Sequence, residues 1–299
     1  MRRKTSAGKT PRPRAEPGSP ASSRPAAGAF GAAGLVLSIG LLAAGFLAAR
    51  RVVVRRVTLR LPSWPERLSG LRLAVVSDLH AGRPHVREGR LARTVARVNQ
   101  EEPDLIVLLG DYIDPVLPGV EPMAPEGVAA ALEPLSAALG VVAVLGNHDW
   151  VNDGERVAGA LRSVGVRVLE DEAVELAARG GPLWVAGLGD LRERGADPDR
   201  ALGAVPPDVP VLLLTHDPDV FPGVSTRPTL TLAGHTHGGQ INIPWLRRLV
   251  IPSRFGGRYT GGHVVEGGHH LYVSRGVGTS GLPLRFRAPP GIDLLELVT

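Results

Sequence analysis

Five short clusters of polar residues each follow an apolar run in the last 222 residues of this chain. They are Asp78-Leu79-His80, Gly110-Asp111, Gly146-Asn147-His148-Asp149, Thr215-His216-Asp217 and Gly234-His235-Thr236-His237. Carboxylate, imidazole and amide groups are the protein donors that hold metal ions through nitrogen and oxygen. The chain has no cysteine, which excludes thiolate ligands and disulfides. If the clusters converge in the fold, they predict a metal centre.

The runs that precede the clusters predict how they would converge. These runs read LRLAVVS, DLIVLL, VVAVL, VLLL and TLTLA. Short, continuous apolar runs rich in β-branched residues are typical of strands buried on both faces. A polar residue directly after such a run lies in the loop at the carboxyl end of the strand, where ligands bind in sheets of this kind. The repetition therefore predicts one shared site.

Spacing within the clusters is consistent with ligation. Asp78 and His80 are two residues apart, so in extended backbone both side chains point the same way and can reach one cation. His235 and His237 have the same spacing, and the flanking glycines let the backbone approach a bound group closely. Asp111 has two carboxylate oxygens, which would let it bridge two cations.

Two further candidates have structural alternatives. Asn147 offers a neutral carbonyl oxygen, or serves as a turn residue after Gly146. His216 follows a strand, and a single histidine in that position is more often structural than a ligand. Each cluster alone is a weak signal, and only the five together predict chemistry.

The charge distribution argues against nucleic-acid binding. The whole chain carries a formal net charge of +5. Residues 1–60 hold 12 lysines and arginines and one acid, whereas residues 61–299 hold 22 bases and 28 acids. The part of the chain with the polar clusters is therefore net acidic and lacks the basic face that a phosphate backbone needs. No nucleic-acid partner is expected.

The amino-terminal segment predicts a basic arm and an anchor. Residues 1–25 are basic and rich in proline, serine and alanine, and are expected to be disordered. Residues 26–49 carry no charge and would be long enough, as a helix, to cross a hydrocarbon core of about 30 Å. The alternative is a cleaved signal peptide, which Arg50 and Arg51 disfavour. Seven bases precede this segment and five follow closely, which slightly favours a catalytic domain outside the cytoplasm.

Residues 55–299 alternate between strand and helix patterns. The first half reads as strand, helix, strand, helix, strand and helix, which predicts parallel strands flanked by helices. The second half is rich in strands. We therefore expect an α/β fold, a four-layer α/β/β/α sandwich. Predicted strands are 71–76, 104–109, 141–145, 173–177, 183–188, 211–215, 229–233, 271–274 and 292–298, and predicted helices are 86–100, 125–139 and 153–163.

In order and type, the polar clusters resemble the motifs of the calcineurin-like metallophosphoesterase superfamily. The stretches GHTHGGQINIP at 234–244 and LYVSRGVGTSGLPLRF at 271–286 resemble the bacterial membrane-associated branch, part of which is similar to UDP-2,3-diacylglucosamine pyrophosphatases of lipid A biosynthesis. The resemblance covers about residues 55–299.

This resemblance implies a dinuclear metal centre and a role for each residue. Asp78, His80 and His237 would hold one divalent ion, Asn147, His216 and His235 the other, and Asp111 would bridge them. His148 would assist the leaving group and Asp149 would orient its loop. The donor set suits manganese, iron, zinc or cobalt.

Several residues outside the motifs are weaker candidates. Asp114 is either a hydrogen-bond partner of a ligand or a turn acid. Arg83, His85 and Arg275 are candidates for substrate phosphate binding, with solvated loops or turns as the alternative. The apolar segment 245–251, with two arginines, is either a lip that faces a lipid surface or a buried segment.

The expected function is hydrolysis of phosphoester or pyrophosphate bonds by a single-pass protein of the cell membrane. A hydroxide activated by the two metals would attack phosphorus. Proximity to a bilayer favours lipid-linked or nucleotide–lipid substrates such as UDP-2,3-diacylglucosamine. The alternatives are a tethered phosphatase or phosphodiesterase for soluble substrates and a non-catalytic metal-binding scaffold of the envelope.

Overall fold

The structure is a computed structural model that describes residues 27–114, 119, 121–224, 228–243 and 251–299. The expected disordered arm and most of the apolar segment 245–251 lie outside the described residues. The chain divides into two units at Leu41, and the unit from Leu42 to Thr299 contains both main sheets.

The chain folds into five α-helices and fourteen β-strands within the described residues. The helices are α1 (Ala27–Arg50), α2 (Glu88–Asn99), α3 (Pro125–Leu132), α4 (Asn147–Ser163) and α5 (Pro198–Gly203). The strands are β1 (Val53–Arg60), β2 (Leu71–Val76), β3 (Gly82–Arg83), β4 (Leu105–Leu108), β5 (Glu121–Pro122), β6 (Val141–Ala143), β7 (Arg167–Val168), β8 (Glu172–Ala178), β9 (Gly181–Gly187), β10 (Val211–Leu214), β11 (Leu230–Ala233), β12 (Gly262–Glu266), β13 (His269–Val273) and β14 (Gly291–Val298).

The first sheet has the strand order β1-β14-β2-β4-β6-β7. Strands β2, β4, β6 and β7 run parallel, whereas β14 is antiparallel to β2 and parallel to β1. One face of this sheet packs against α2, α3 and α4 through Val95, Val128 and Leu161. The carboxyl ends of β2, β4 and β6 therefore lie side by side.

The second sheet has the order β12-β13-β11-β10-β9-β8, with β9, β10, β11 and β13 parallel. Its inner face packs on the first sheet through a shared apolar core that includes Val107 of β4, Leu212 of β10 and Leu232 of β11. The outer face is covered by α5 and the segment around Val220. The molecule therefore has the expected α/β/β/α layers, with a thin outer layer on the second side.

Most predicted elements are present, and two differ at their ends. The helix expected over 125–139 ends at Leu132, because Pro134 has no backbone N–H and clashes with the preceding turn. Helix α4 begins six residues before the predicted 153–163, because its first turn includes the polar Gly146-Asn147-His148-Asp149 cluster, and it is interrupted at Asp153. Strands β1, β3, β5, β7 and β12 and helix α5 were not predicted.

Helix α1 spans the uncharged segment that was expected to be a membrane anchor. Among the described residues, however, the structure has no helix that is both long enough and apolar enough to traverse a bilayer. The predicted anchor is therefore not confirmed. The last turns of α1, from Leu42 onwards, belong to the larger unit. Within that unit Gly45 lies close to the Phe286 ring, and its carbonyl accepts a hydrogen bond from the Arg285 backbone N–H at 3.0 Å.

Candidate metal centre

Five loops at the carboxyl ends of strands from both sheets meet at one edge of the sandwich. The loops after β2, β4 and β6 come from the first sheet, and those after β10 and β11 come from the second. They bring together the side chains of Asp78, His80, Asp111, Asn147, His148, His216, His235 and His237. The convergence expected from the sequence is therefore present.

The loops that form the site contain several non-glycine residues with positive φ angles. Five of the clustered residues have left-handed backbone conformations, with φ between 46° and 68°. They are Asp78, His80, Asp111, His235 and His237. Such conformations are uncommon for residues other than glycine and cluster where function requires a particular side-chain direction. The extended backbone expected from the spacing of Asp78 and His80 is therefore not present at these residues, and the left-handed conformations bring the side chains into the shared site instead.

One group of possible ligand atoms belongs to Asp78, His80 and His237, all buried. The Nε2 atoms of His80 and His237 are 3.0 Å apart, and His237 Nε2 lies 3.4 Å from Asp78 Oδ1. Ser77 Oγ donates to Asp78 Oδ2 at 2.5 Å, which orients that carboxylate. The three side chains come from opposite sheets, so neither sheet alone completes the group.

A second group of possible ligand atoms belongs to Asp111, His216 and His235. His216 Nε2 lies 3.2 Å from Asp111 Oδ2, and His235 Nδ1 lies 3.1 Å from His216 Nε2. The other nitrogen of His216, Nδ1, lies 2.6 Å from the Leu109 carbonyl and donates to it, which fixes the ring orientation. Nε2 is thereby directed into the site.

Asp111 lies between the two groups. Its Oδ2 atom is 3.6 Å from His80 Nε2 in the first group and 3.2 Å from His216 Nε2 in the second. It is also 3.9 Å from His148 Nε2. The His148 side chain is 24% exposed, whereas the side chains of Asp111, His80 and His216 are buried. The arrangement therefore has a shared carboxylate at its centre and one imidazole at its mouth.

The charges of the site are divided unequally in the absence of bound ions. Burial lowers the pKa of His80 to about 3 and also places the pKa values of His235 and His237 well below their usual range. Burial would lower the pKa of His216 as well, but the charge and hydrogen bond of Asp111, together with the charges of Asp78 and Asp190, outweigh burial and raise that pKa. Three imidazoles are therefore neutral near pH 7, and neutral imidazole is the form that ligates metal ions.

The donors present fit a pair of divalent cations. The carboxylate and imidazole atoms of each group all lie within 4.8 Å of one another. Asn147 Oδ1 and His80 Nδ1 are buried without a hydrogen-bond partner among the described residues. A buried acceptor without a partner is costly, and a cation beside Asn147 Oδ1 would remove that cost. Nitrogen and oxygen donors without sulfur match the ions expected from the sequence.

Asp149 supports the site from behind rather than lining it. Its carboxylate accepts hydrogen bonds from the backbone N–H groups of residues 111, 112, 113 and 146 at 2.8–3.3 Å. It is fully buried, and burial together with the Asp111 charge raises the pKa of Asp149 to about 7. His148 therefore faces the cleft, whereas Asp149 holds the loops that carry Asp111 and His148, a position that suits the loop-orienting role expected from the sequence.

The three weaker substrate-binding candidates lie outside the metal-site cleft. This cleft has a volume of about 420 Å³, and neither Arg83, His85 nor Arg275 lines it. Strand β3 pairs with β5 and carries Arg83 and His85 towards α2, where Arg83 lies 3.9 Å from Glu88. The aliphatic part of Arg275 packs beneath Gly238 and Gly261. Their expected contact with substrate is not supported by this placement.

The remaining weak candidates have clear positions. Asp114 is buried, and its Oδ1 lies 3.7 Å from His80 Nδ1, so it stands beside a predicted ligand. Within the apolar segment 245–251, which was expected to be a lip or a buried segment, residues 245–250 lie outside the described residues. Ile251 is described and is buried.

Two arginines at the site were not identified from the sequence. Arg192 lines the cleft, and its Nε donates to the buried carboxylate of Asp217 at 2.9 Å. Arg285 is 1% exposed and donates to the His237 carbonyl at 2.5 Å and to His237 Nδ1 at 3.1 Å. Asp217 directly follows His216 in a motif, so the sequence did indicate that a carboxylate would lie near the site. Arg192 and Arg285 lie far from the residues they contact, so no local pattern marks them.

Comparison with known proteins gives the family. The profile of the Calcineurin-like phosphoesterase family matches residues 71–239. The uncharacterized metallophosphoesterase YkuE of Bacillus subtilis (strain 168) is 32% identical over 243 residues, which cover 80% of this chain and 83% of that protein. Phosphodiesterase YaeI of Escherichia coli (strain K12) is 31% identical, with 80% and 86% coverage. A zebrafish (Danio rerio) protein described as a transmembrane protein with metallophosphoesterase domain is 31% identical, with 78% and 54% coverage.

The chain belongs to the calcineurin-like phosphoesterase family. It is a metallophosphoesterase, a hydrolase that acts on phosphoester bonds, and the family works with two divalent metal ions. The expectation of a phosphoester substrate and of divalent cofactors is confirmed at this level.

Proposed function

We propose that the two groups of donors are the two metal sites of a phosphodiesterase or pyrophosphatase. Asp78, His80 and His237 hold one ion, and Asn147, His216 and His235 hold the other, with Asp111 shared between them. The observation that carries this proposal is the position of Asp111 Oδ2, within 3.6 Å of an imidazole nitrogen from each group.

His148 is the proton donor to the leaving oxygen in this proposal. Divalent ions at paired sites lower the pKa of water and neutralise phosphoryl charge. When the bond between phosphorus and the leaving oxygen breaks, that oxygen needs a proton, which an imidazole is suited to supply near pH 7. His148 lies in the first turn of α4 at the mouth of the cleft, and its backbone N–H donates to Asp111 Oδ1 at 3.0 Å. This hydrogen bond holds the His148 backbone beside the shared carboxylate, and the ring Nε2 lies 3.9 Å from Asp111 Oδ2.

Arg192 binds a phosphoryl oxygen opposite His148. Its guanidinium lines the same cleft, and Asp217 and the Pro252 carbonyl hold it by accepting from Nε and Nη2. An arginine that is already oriented loses less conformational freedom when it binds phosphate. This role replaces the one expected for Arg83, His85 and Arg275.

An amphiphilic substrate, such as UDP-2,3-diacylglucosamine or another lipid-linked phosphoester, fits the rim of the cleft. Leu282 lines the cleft and is 60% exposed, and Ile241 lies beside it. Close by in sequence, Phe286 contacts the last turns of α1, whose Leu42 and Leu47 are also exposed. Exposed apolar residues at the mouth of a polar site suit a substrate with a phosphate head and an acyl tail.

A location at the cell membrane follows from the same proposal. The zebrafish relative is described as a transmembrane protein, and the exposed apolar residues of α1 and the cleft rim would contact lipid. The competing function is hydrolysis of soluble phosphodiesters, for which the polar floor of the cleft is sufficient. A scaffold without activity is disfavoured, because it would not need an accessible imidazole at the position of His148.

Hydrolysis assays with the full chain in detergent and manganese test the proposal. The substrates are a bis-aryl phosphate, a mono-aryl phosphate and UDP-2,3-diacylglucosamine. We expect hydrolysis of the diester and the pyrophosphate, with a loss of at least about 10³-fold in Asp111→Asn and roughly 10²–10⁴-fold in His148→Ala.

The control is Asp153→Asn, which removes an exposed carboxylate of α4 and leaves the site intact. Equal rates for the wild type and both site variants on all three substrates would overturn the proposal. Hydrolysis of the bis-aryl phosphate without hydrolysis of the lipid substrate would support the proposed metal centre but favour soluble substrates over lipid-linked ones.

A further inference from the structure

A second cleft, which shares no lining residue with the metal-site cleft, is lined by four arginines. It lies between the end of α1 and the start of α2 and has a volume of about 660 Å³. Arg50 is the last residue of α1, and Arg87, Arg90 and Arg93 are spaced three residues apart across the first turns of α2. Residues three apart on a helix lie on the same side, so the spacing collects the three guanidinium groups at one face. We call this the arginine cleft.

The positive charge of the arginine cleft is not neutralised within the described part of the chain. There, none of the four arginines forms a salt bridge with a carboxylate. Glu88 also lines the cleft, but its side chain is 63% exposed and lies 3.9 Å from Arg83, which is outside the cleft. Burial and the neighbouring charges of Arg50 and Arg93 lower the pKa of Arg90 to about 10. Four like charges held together without a partner repel one another, and a bound anion would relieve the repulsion.

Arg90 is held in a fixed orientation by the fold. Its Nη2 donates to the Ala49 carbonyl at 2.8 Å and to the Val277 carbonyl at 2.9 Å. Its Nε is buried and has no hydrogen-bond partner among the described residues. Arg50 is also oriented, because its guanidinium lies 4.1 Å from the centre of the Phe46 ring. The cleft therefore contains pre-positioned N–H donors, one of which is unused.

We propose that the arginine cleft binds a phosphate group. Guanidinium groups bind phosphate through paired hydrogen bonds, and several arginines around one cleft favour an anion with more than one negative charge and several acceptor oxygens. The cleft shares no lining residue with the metal-site cleft, so the bound phosphate is not the one that is hydrolysed. The group is either free phosphate or the headgroup of an anionic phospholipid.

Phosphate titration of the full-length, manganese-loaded protein tests the site. Isothermal titration at low ionic strength is expected to resolve two phosphates per wild-type chain, one at the metal centre and one in the arginine cleft. Arg87→Gln combined with Arg93→Gln is expected to weaken the second phosphate at least tenfold, because each substitution removes a charge-assisted hydrogen bond. Both side chains are exposed, so the fold is expected to persist.

The matched control removes the same charge elsewhere. Arg97 lies further along α2 and Arg179 lies in the turn between β8 and β9, and both are exposed and outside the cleft. Arg97→Gln combined with Arg179→Gln should retain both phosphates. Equal phosphate binding by the wild type and the two double variants would overturn the proposal. Thermal unfolding checks that both double variants are folded, and Arg93→Gln alone provides the test if the double variant is not.

Two further measurements separate this site from the metal centre and distinguish the two sources of phosphate. The rate of bis-aryl phosphate hydrolysis should be unchanged in Arg87→Gln/Arg93→Gln. This rate tests the metal centre separately from phosphate binding in the arginine cleft. Co-sedimentation with phosphatidylcholine vesicles, with and without phosphatidylglycerol, then compares the two double variants. If Arg87→Gln/Arg93→Gln loses more binding to the phosphatidylglycerol vesicles than the control double variant does, the site binds a lipid headgroup. If the two double variants lose equal amounts of vesicle binding, the site binds free phosphate.

Discussion

Arg285 donates hydrogen bonds to both the carbonyl oxygen and Nδ1 of His237. Its remaining donors reach the carbonyl groups of Arg275, Gly278 and Ala288, so the guanidinium is saturated although it is almost fully buried. Burial lowers the pKa of Arg285 to about 9. A buried cation in direct contact with a predicted metal ligand positions that ligand, and this relationship leads to the first prediction.

Replacing Arg285 with lysine should weaken metal binding more than it alters the fold. Lysine keeps the charge but cannot reproduce the planar set of donors, so the His237 ring loses its fixed orientation. We expect manganese affinity to fall about 10–100-fold, as for other partners of metal ligands. A manganese titration in which the hydrolysis rate is the signal measures the affinity. Arg287→Lys, an exposed change two residues away, is the control, and equal affinities for both variants would contradict a positioning role.

Manganese should stabilise the wild type but not the Asp111→Asn variant. Asp111 stands between both groups of donors, so its loss weakens both sites. A ligand present at about 100 times its dissociation constant raises the free energy of unfolding by about 2.7 kcal/mol. Thermal unfolding with manganese and with chelator measures the difference. Asp153→Asn should respond like the wild type, and an equal manganese response in Asp111→Asn would exclude the bridging position.

Gly146→Ala should reduce activity without altering any charge. A Cβ at Gly146 would overlap Asp111 Oδ1 and approach the Asp111 backbone, so the shared carboxylate would have to move. A displacement of about 1 Å at such a site costs on the order of 10²-fold in rate. The kcat for the bis-aryl phosphate tests this expectation. The control is Gly159→Ala on the same helix, where a Cβ would meet nothing within 4 Å and activity should be retained.

The stability of the metal-free protein should depend on Asp114 in a defined pH window. Burial, with a contribution from Asp111, raises the pKa of Asp114 from 3.8 to about 7. Between these values the folded protein keeps a proton that the unfolded chain releases, so the contribution of Asp114 to the free energy of unfolding falls as pH rises. Asp114→Asn, which does not titrate, should therefore gain stability relative to the wild type from about pH 4 to pH 7, by up to ~4 kcal/mol.

Urea unfolding of chelator-treated wild type and Asp114→Asn at several pH values measures this difference. Asp104→Asn is unsuitable as a control, because Asp104 accepts a hydrogen bond from the Arg72 backbone. Asp208→Asn serves instead, since its carboxylate is exposed. A difference between wild type and Asp114→Asn that does not change with pH would show that Asp114 is ionised throughout.

The polar clusters were predictable because strand ends are encoded locally. The runs before Asp78 and Asp111 are short, apolar and rich in β-branched residues, and parallel strands of this kind place the residues that follow them at one edge. The end of α3 was also encoded, in Pro134, although the predicted helix extended past it. The local pattern of apolar residues and the residues that end helices and strands thus account for most of the elements.

Contacts between distant segments were not predictable in the same way. Nothing near Arg192 or Arg285 in the sequence indicates which side chain each will meet, because the contact depends on how the second sheet packs on the first. Arg83 follows the first motif closely, and this proximity in sequence suggested contact with substrate, but Arg83 lies in the β3–β5 pair and does not line the metal-site cleft. The arginine cleft is a further example, since Arg50 joins the arginines of α2 only in the folded chain.

The position of β14 has a consequence for the order of events during synthesis. This strand is the last of the fourteen to leave the ribosome, yet it inserts between β1 and β2, the first two. There Asp293 of β14 accepts hydrogen bonds from Arg55 of β1 and from Tyr272 and Ser274 in the segment ending β13. A nascent chain therefore exposes its aspartates and histidines before the sheet that aligns them is complete. We expect the protein to acquire its metal ions only after β14 has been translated and has inserted between β1 and β2.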